Sequence, residues 1–152
     1  MVPILKKAWS EVLHPLLQRP NRLQVAALCY RGQGMEKQVL LITSRGTGRW
    51  ILPKGWPMKD LGAGEAAMQE AWEEAGVSKG NLCEKAVGTY TYDKALDSGW
   101  SIVIDAMVFS IEVEALEDEF PEAHERRRTW VSPSEAANMV EEPGLQSILR
   151  QF

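Results

Sequence analysis

GWPMKDLGAGEAAMQEAWEEAGV, residues 55–77, runs from a Gly- and Pro-containing loop into a helical pattern that stops at a glycine. Apolar residues recur at helical spacing (Ala67, Met68, Ala71, Trp72, Ala75) and predict a helix over 65–75. Gly76 suits the position just past a helix, which needs a positive φ. The small residues on the stripe predict close packing on a sheet. Glu70, Glu73 and Glu74 lie three and four positions apart and fan over roughly a third of the circumference. Like charges at these spacings cost roughly 0.2–0.5 kcal/mol per pair, which a wet surface tolerates. Taken alone, a solvated helix face accounts for the cluster. A hard divalent cation, however, takes one or two carboxylates plus phosphate and water oxygens. Three clustered acids supply that and leave one over as a base. Gly55, fifteen positions before Glu70, lets backbone approach a ligand closely, and its carbonyl can ligate a metal.

Before this stretch, LQVAALCYR (23–31) reads as a buried strand and QVLLITS (38–44) as its hairpin partner across GQGMEK. RGTGR (45–49) is a loop, and WILP (50–53) a short strand that a proline ends. KGWPMKDLGAG (54–64) has no period and reads as loop. After the helix, the pattern predicts a turn at 78–81, strands near 84–92 and 101–113, and a charged loop over 114–128. TWV (129–131) reads as a short strand. Ser132 or Ser134 can cap a helix over 134–141, and a last helix is expected over 144–151. Strands arrive both as hairpins and around helices, so the fold class is α/β, a mixed sheet with helices packed on it. Residues 4–18 carry a helical apolar period that Pro15 ends or kinks, so 1–20 reads as an N-terminal helical extension ahead of a domain over 21–152.

The 152 residues suit one domain with a sizeable core. A net charge of -4 gives no global basic field, so no nucleic-acid polymer is expected as partner. No apolar run approaches a membrane span, and the N-terminus is a poor signal peptide. Cys29 and Cys83 read as reduced thiols of a cytoplasmic protein.

The 55–77 stretch resembles a Nudix box, Gly-x5-Glu-x7-Arg-Glu-U-x-Glu-Glu-x-Gly-U with U apolar. Gly55, Glu70, Ala71, Glu73, Glu74, Gly76 and Val77 match it without a gap. Leu61 and Gln69 stand where the pattern has Glu and Arg. Gln69 can donate a hydrogen bond to the helix acids but brings no charge. Glu65, one turn before Gln69, is a candidate substitute for the missing carboxylate. VAALCYR…QVLLITSRGTGRWILPKG before the box and ERRRTWVSPSEA after it are similar to the diphosphoinositol polyphosphate phosphohydrolase branch.

The resemblance implies an α/β/α sandwich around a mixed sheet. It implies Mg²⁺- or Mn²⁺-dependent cleavage of a phosphoanhydride bond by a metal-activated water, in a dinucleoside polyphosphate or diphosphoinositol polyphosphate. By the same pattern Gly55, Glu70 and Glu74 would hold metal and Glu73 would be the base. Ser44, Arg45, Arg49, Lys54 and Arg128 would bind this phosphorylated small-molecule substrate, Arg being suited to bidentate phosphate contact. Arg126 and Arg127 read equally as neighbours of that site or as a solvated run. Glu119 and Glu122 read first as acidic surface, second as an outlying metal carboxylate. Trp56 and Trp100 are candidates for stacking on a base, while Trp50, Trp72 and Trp130 read as core. Because Leu61 and Gln69 depart, a non-catalytic Nudix-fold binding module stands as the rival reading.

Overall fold

The computed structural model describes residues 22–152, so the helix expected over 4–18, and His14 within it, lie outside the described residues. β1 (Arg22–Arg31) is buried on both faces. Val25, Ala27 and Cys29 point to one core, and Ala26 and Leu28 to the other. That two-sided burial explains the near-continuous apolar run and marks β1 as a central strand. β2 (Gln38–Thr43) does the same with Leu40 and Ile42 against Val39 and Leu41.

The remaining elements are β3 (Trp50–Ile51), β4 (Lys54–Gly55), α1 (Ala63–Ala75), β5 (Val77–Leu82), β6 (Gly88–Ala95), β7 (Ser101–Leu116), β8 (Arg128–Val131), α2 (Pro133–Met139) and α3 (Pro143–Gln151). One mixed eight-stranded sheet runs β3-β2-β1-β7-β5, with β4 on β1, β6 on β7 and β8 on β2. β1 and β7 are parallel from Arg22–Ile104 to Tyr30–Glu112, and every other pairing is antiparallel. α1 lays Ala66, Ala67, Ala71 and Ala75, each fully buried, on one face. α2 and α3 cover the other with Ala136, Ala137, Leu145 and Leu149. The result is the expected α/β/α sandwich.

Two expectations are corrected. The turn foreseen at 78–81 is strand β5, paired to β7 with register shifts at Val77/Lys79 and Lys79/Gly80. The bulges break the alternation that would have announced a strand. Lys54–Gly55, foreseen as loop, is a two-residue strand pairing with Val25 and Ala26 of β1.

The sheet opens where β1 and β2 part. They pair at Tyr30–Val39 and Arg31–Gln38 and then diverge, β3 attaching to β2 and β4 to β1. The opening lies beside α1, which ends at Gly76 with φ 78°. A Cβ there would lie 2.6 Å from the carbonyl oxygen of Glu117 and 2.6 Å from the Phe120 ring. Gly76→Ala therefore combines left-handed strain with a backbone clash and is expected to cost about 3 kcal/mol in urea unfolding. A loss below about 0.5 kcal/mol would mean the loop after β7 yields freely.

Candidate active site

α1 turns its three acids in two directions. Glu70 and Glu74 face inward and are 8% and 6% exposed, whereas Glu73 is half-buried on the flank and accepts a hydrogen bond from Gln69 Nε2 at 3.2 Å. The neutral amide thus takes up the orienting contact expected of it. Glu70 and Glu74 share a hydrogen bond, and burial, with that bond and the nearby Glu74, Glu73 and Glu122 charges, pushes the Glu70 carboxyl up to about 8. Burial raises Glu74 as well, opposed by its bond to Glu70 and by Arg126. The pair holds a proton that two adjacent anions could not both give up.

Gly55 closes this pocket. A Cβ at that position would fall 2.3 Å from Glu70 Oε1 and 2.4 Å from its carboxyl carbon. The absence of a side chain at 55 is what lets the Glu70 carboxyl lie against the strand.

Sequence reasoning left Arg126 open, and the structure buries its guanidinium, 6% exposed, among the acids. It lies 3.3 Å from Glu74 and 3.1 Å from Glu122 and donates to the Thr43 carbonyl at 2.9 Å. Glu122 accordingly turns inward, while Glu119 is a surface residue 4.0 Å from exposed His124. Arg128, expected to bind substrate, is placed elsewhere. Its guanidinium donates to the carbonyls of Ala75 (2.9 Å) and Glu117 (2.8 Å) and to Asp118 (3.0 Å), tying the C-terminus of α1 to the following loop. Positive charge at those terminal carbonyls is favourable, so Arg128 serves the helix end. Arg127 faces the opposite side of the sheet, over the Trp50 ring. Glu65 is exposed in the first turn of α1, outside this cleft, where it lines a separate depression together with Leu61 and Gln69.

Ser44, Arg45, Arg49 and Lys54 do come together. With Gln24, Tyr92, Lys94, Glu74 and Arg126 they line a cleft of about 470 Å³ at the opening of the sheet. Ser44 closes its loop by accepting from the Arg49 backbone at 3.2 Å and by bonding Thr47 Oγ1. Arg49 is hydrogen-bonded to Glu142 at the start of α3. Lys54 lies over the Tyr92 ring at 5.1 Å, and burial lowers its ammonium to about 8 against the pull of Glu74 and Glu142. Burial raises the Tyr92 phenol to about 12, and its hydroxyl meets buried Gln24. Glu142, Tyr92 and Gln24 went unnoticed in the sequence because nothing local marks them. Tyr92 and Gln24 reach the cleft through the β1–β7–β6 pairing, and the placement of α3 brings Glu142 to Arg49 behind it.

Among the described residues no three side chains of His, Cys, Asp or Glu converge as a ready-made metal cage, because Arg126 occupies the space between Glu74 and Glu122. The chemistry of Glu70 and Glu74 nonetheless fits a divalent cation. They are buried hard-oxygen donors whose mutual repulsion a cation would relieve, in a cradle that a Cβ at 55 would fill.

The proton on the pair has a consequence for stability. An unperturbed glutamate releases its proton near 4.5, whereas folded Glu70 keeps it to about 8. Folding takes up a proton between those values, so stability is greatest below the unfolded pKa and falls as pH rises toward 8. Glu70→Gln, neutral throughout, is expected to flatten that fall and raise the Tm of the metal-free protein at pH 8 by about 5 °C. Parallel melting curves for the two proteins from pH 5 to 8 would refute the shared proton.

A family model of the NUDIX domain matches residues 20–152. The chain belongs to the Nudix family. Nudix hydrolases cleave pyrophosphate linkages and use divalent metal ions. The chain is similar to Nudix hydrolase 21, chloroplastic, of Arabidopsis thaliana, 34% identical over 90% of this chain and 70% of that one. It is also similar to diphosphoinositol polyphosphate phosphohydrolase 3-alpha of Homo sapiens, 41% identical over 39% of this chain and 35% of that one. Among the plant Nudix relatives it matches, it spans 53% to 70% of their length. A crystal structure of C. elegans Ap4A hydrolase superposes with a TM-score of 0.60 at 19% identity, over 88% of this chain and 96% of that one. At that identity the likeness establishes the shared Nudix fold. No helix among the described residues is long and apolar enough to cross a membrane.

Proposed function

We propose that this Nudix domain hydrolyses a phosphoanhydride bond in a dinucleoside polyphosphate or diphosphoinositol polyphosphate with Mg²⁺ or Mn²⁺. The observation that carries the reading is the buried Glu70–Glu74 pair set against Gly55 at one end of a cleft lined by Arg45, Arg49, Lys54 and Arg126. Glu70 and Glu74, with the Gly55 carbonyl, would hold the cation, which when bound neutralises phosphate charge and polarises phosphorus. Ser44, Arg45, Arg49 and Lys54 bind and orient the phosphates. Glu73 takes the proton of the attacking water as its oxygen bonds to phosphorus. The bridging P–O bond breaks and its electrons leave with the second phosphate. Two free cysteines, Cys29 buried and Cys83 exposed, suit a reducing compartment such as the cytoplasm.

The decisive experiment is a substrate panel of diadenosine polyphosphates, diphosphoinositol polyphosphates, nucleotide sugars and nucleoside triphosphates, with Mg²⁺, with Mn²⁺ and with chelator. Cleavage of one class that chelator abolishes is the expected result. The rival, a binding module, is favoured by Leu61, by Gln69 and by the Arg126 guanidinium seated between Glu74 and Glu122. Saturable Mn²⁺ binding with no cleavage of any substrate would establish that rival.

A further inference from the structure

α1 covers only part of its side of the sheet. Side chains alternate along a strand, and burial along β7 separates its two faces. Ile104, Ala106 and Val108 are fully buried, whereas Val103 is 41% exposed and Asp105 and Met107 are half-buried. Met107 packs at the margin of the α1-side core. The pairings Leu23–Asp105, Thr91–Asp105 and Asp93–Val103 bring Leu23 (43% exposed), Thr91 and Asp93 to this same face. α2 and α3 lie on the opposite one. Among the described residues, this end of the α1 side therefore stays open. Its apolar centre is Leu23, Val103 and Met107, and its charge is that of Asp93 and Asp105, the latter accepting from Thr91 Oγ1 at 2.7 Å.

Scattered apolar residues on a surface are ordinary, but these adjoin the point where the chain enters the fold. β1 begins at Arg22, one residue before Leu23. The preceding stretch repeats apolar side chains at helical spacing from Ile4 and Leu5 to Leu16 and Leu17, a stripe that needs a surface to lie on. Arg19, Pro20 and Asn21 separate that stripe from the strand, a connection of ordinary length between helix and strand. Three residues reach at most about 10 Å, so the stripe has to settle near the start of β1. Residues 4–18 as a helix would be about 22 Å long, close to the roughly 26 Å of the eight-residue β6. The charges are complementary too. Residues 1–21 carry Lys6, Lys7 and Arg19 against Glu11 alone, opposite in sign to Asp93 and Asp105.

We propose that residues 4–18 lie as an amphipathic helix, kinked at Pro15, across the open face of β1, β7 and β6, with their apolar stripe on Leu23, Val103 and Met107. The chain thereby covers its own sheet. Tyr92 and Lys94 line the cleft from the other face of β6, so the segment braces one wall of that site from behind. The inference is independent of the reaction carried out there.

The test is hydrogen–deuterium exchange of the full chain at low and at high protein concentration, with native mass spectra recorded alongside. Amides of residues 4–18 are expected to exchange at least about tenfold more slowly than in a free peptide of the same sequence. Val103→Lys places a charge at the centre of the open face. It is expected to return those amides to within about twofold of the peptide rate, while the buried Val25–Cys29 amides of β1 keep their protection. Leu13→Lys, which changes the stripe alone, should release the segment in the same way. If Val103→Lys does not fold, Thr91→Lys on the exposed edge strand decides, with the same release expected. Peptide-like exchange of residues 4–18 in the wild type overturns the proposal. So does protection that the face variants leave unmoved. Protection that appears only at high concentration together with a dimer also overturns it, since a second copy would then be what the segment meets.

Discussion

Glu73→Gln is expected to lower kcat by about 10²–10⁴-fold, the range a general base contributes, with KM nearly unchanged. The change replaces one carboxylate oxygen by an amide nitrogen of the same size, so packing on α1 is kept. Glu73 is half-buried, apart from the Glu70–Glu74 pair, and its side-chain partner Gln69 is itself an amide that can turn to accept. The Tm should therefore move by less than about 2 °C, and Mn²⁺ affinity by less than about threefold, since neither buried ligand is touched. Steady-state rates at saturating metal provide the measurement. A loss of a few-fold would move the base to Glu70, the next acid on that helix.

Gly55→Ala should abolish most activity by another route. Position 55 lies in an extended two-residue strand with ordinary φ, so its backbone accepts alanine. The added methyl would lie 2.3 Å from Glu70 Oε1, and it is the far end of the Glu70 side chain that must swing away. The expected result is Mn²⁺ affinity reduced at least about tenfold and kcat/KM reduced about 100-fold, because a displaced ligand loses both charge and alignment. Stability should fall by no more than about 1 kcal/mol, the cost of one off-rotamer carboxylate. A paramagnetic Mn²⁺ titration separates the outcomes. Unchanged Mn²⁺ affinity would mean that Glu70 does not hold the cation.

The parts of this molecule legible in the sequence are those with a period or a fixed spacing. β1 and β2 announced themselves by apolar runs because both faces are buried, and α1 by alanines four apart. β5 was invisible because VSKGNL pairs through two register shifts and leaves Ser78, Lys79 and Asn81 exposed. The Glu–Arg–Arg–Arg run could not be sorted from sequence. Arg126 and Arg128 lie two apart and both reach α1, but one meets Glu74 and the other the helix end. That assignment depends on how far along α1 the incoming strand crosses, a tertiary fact. Glu142 carries no local signal in the sequence and meets Arg49 only because α3 lies beside the Ser44–Arg49 loop.

The parallel pairing of β1 with β7 also dictates an order of events during synthesis. Partners in that ladder are roughly eighty positions apart, so its loop-closure cost is large and its formation slow. A ribosome delivers β1, β2 and the whole of α1 before the strand that must lie between β1 and β6 exists. Until residue 116 has emerged, the apolar faces of Val25–Cys29 and the alanine stripe of α1 have no completed sheet to cover them. The nascent chain is thus most vulnerable to aggregation in the interval between the acidic helix and the end of β7. Substitutions that weaken β7 should therefore reduce the yield of folded protein in cells more than they lower its equilibrium stability.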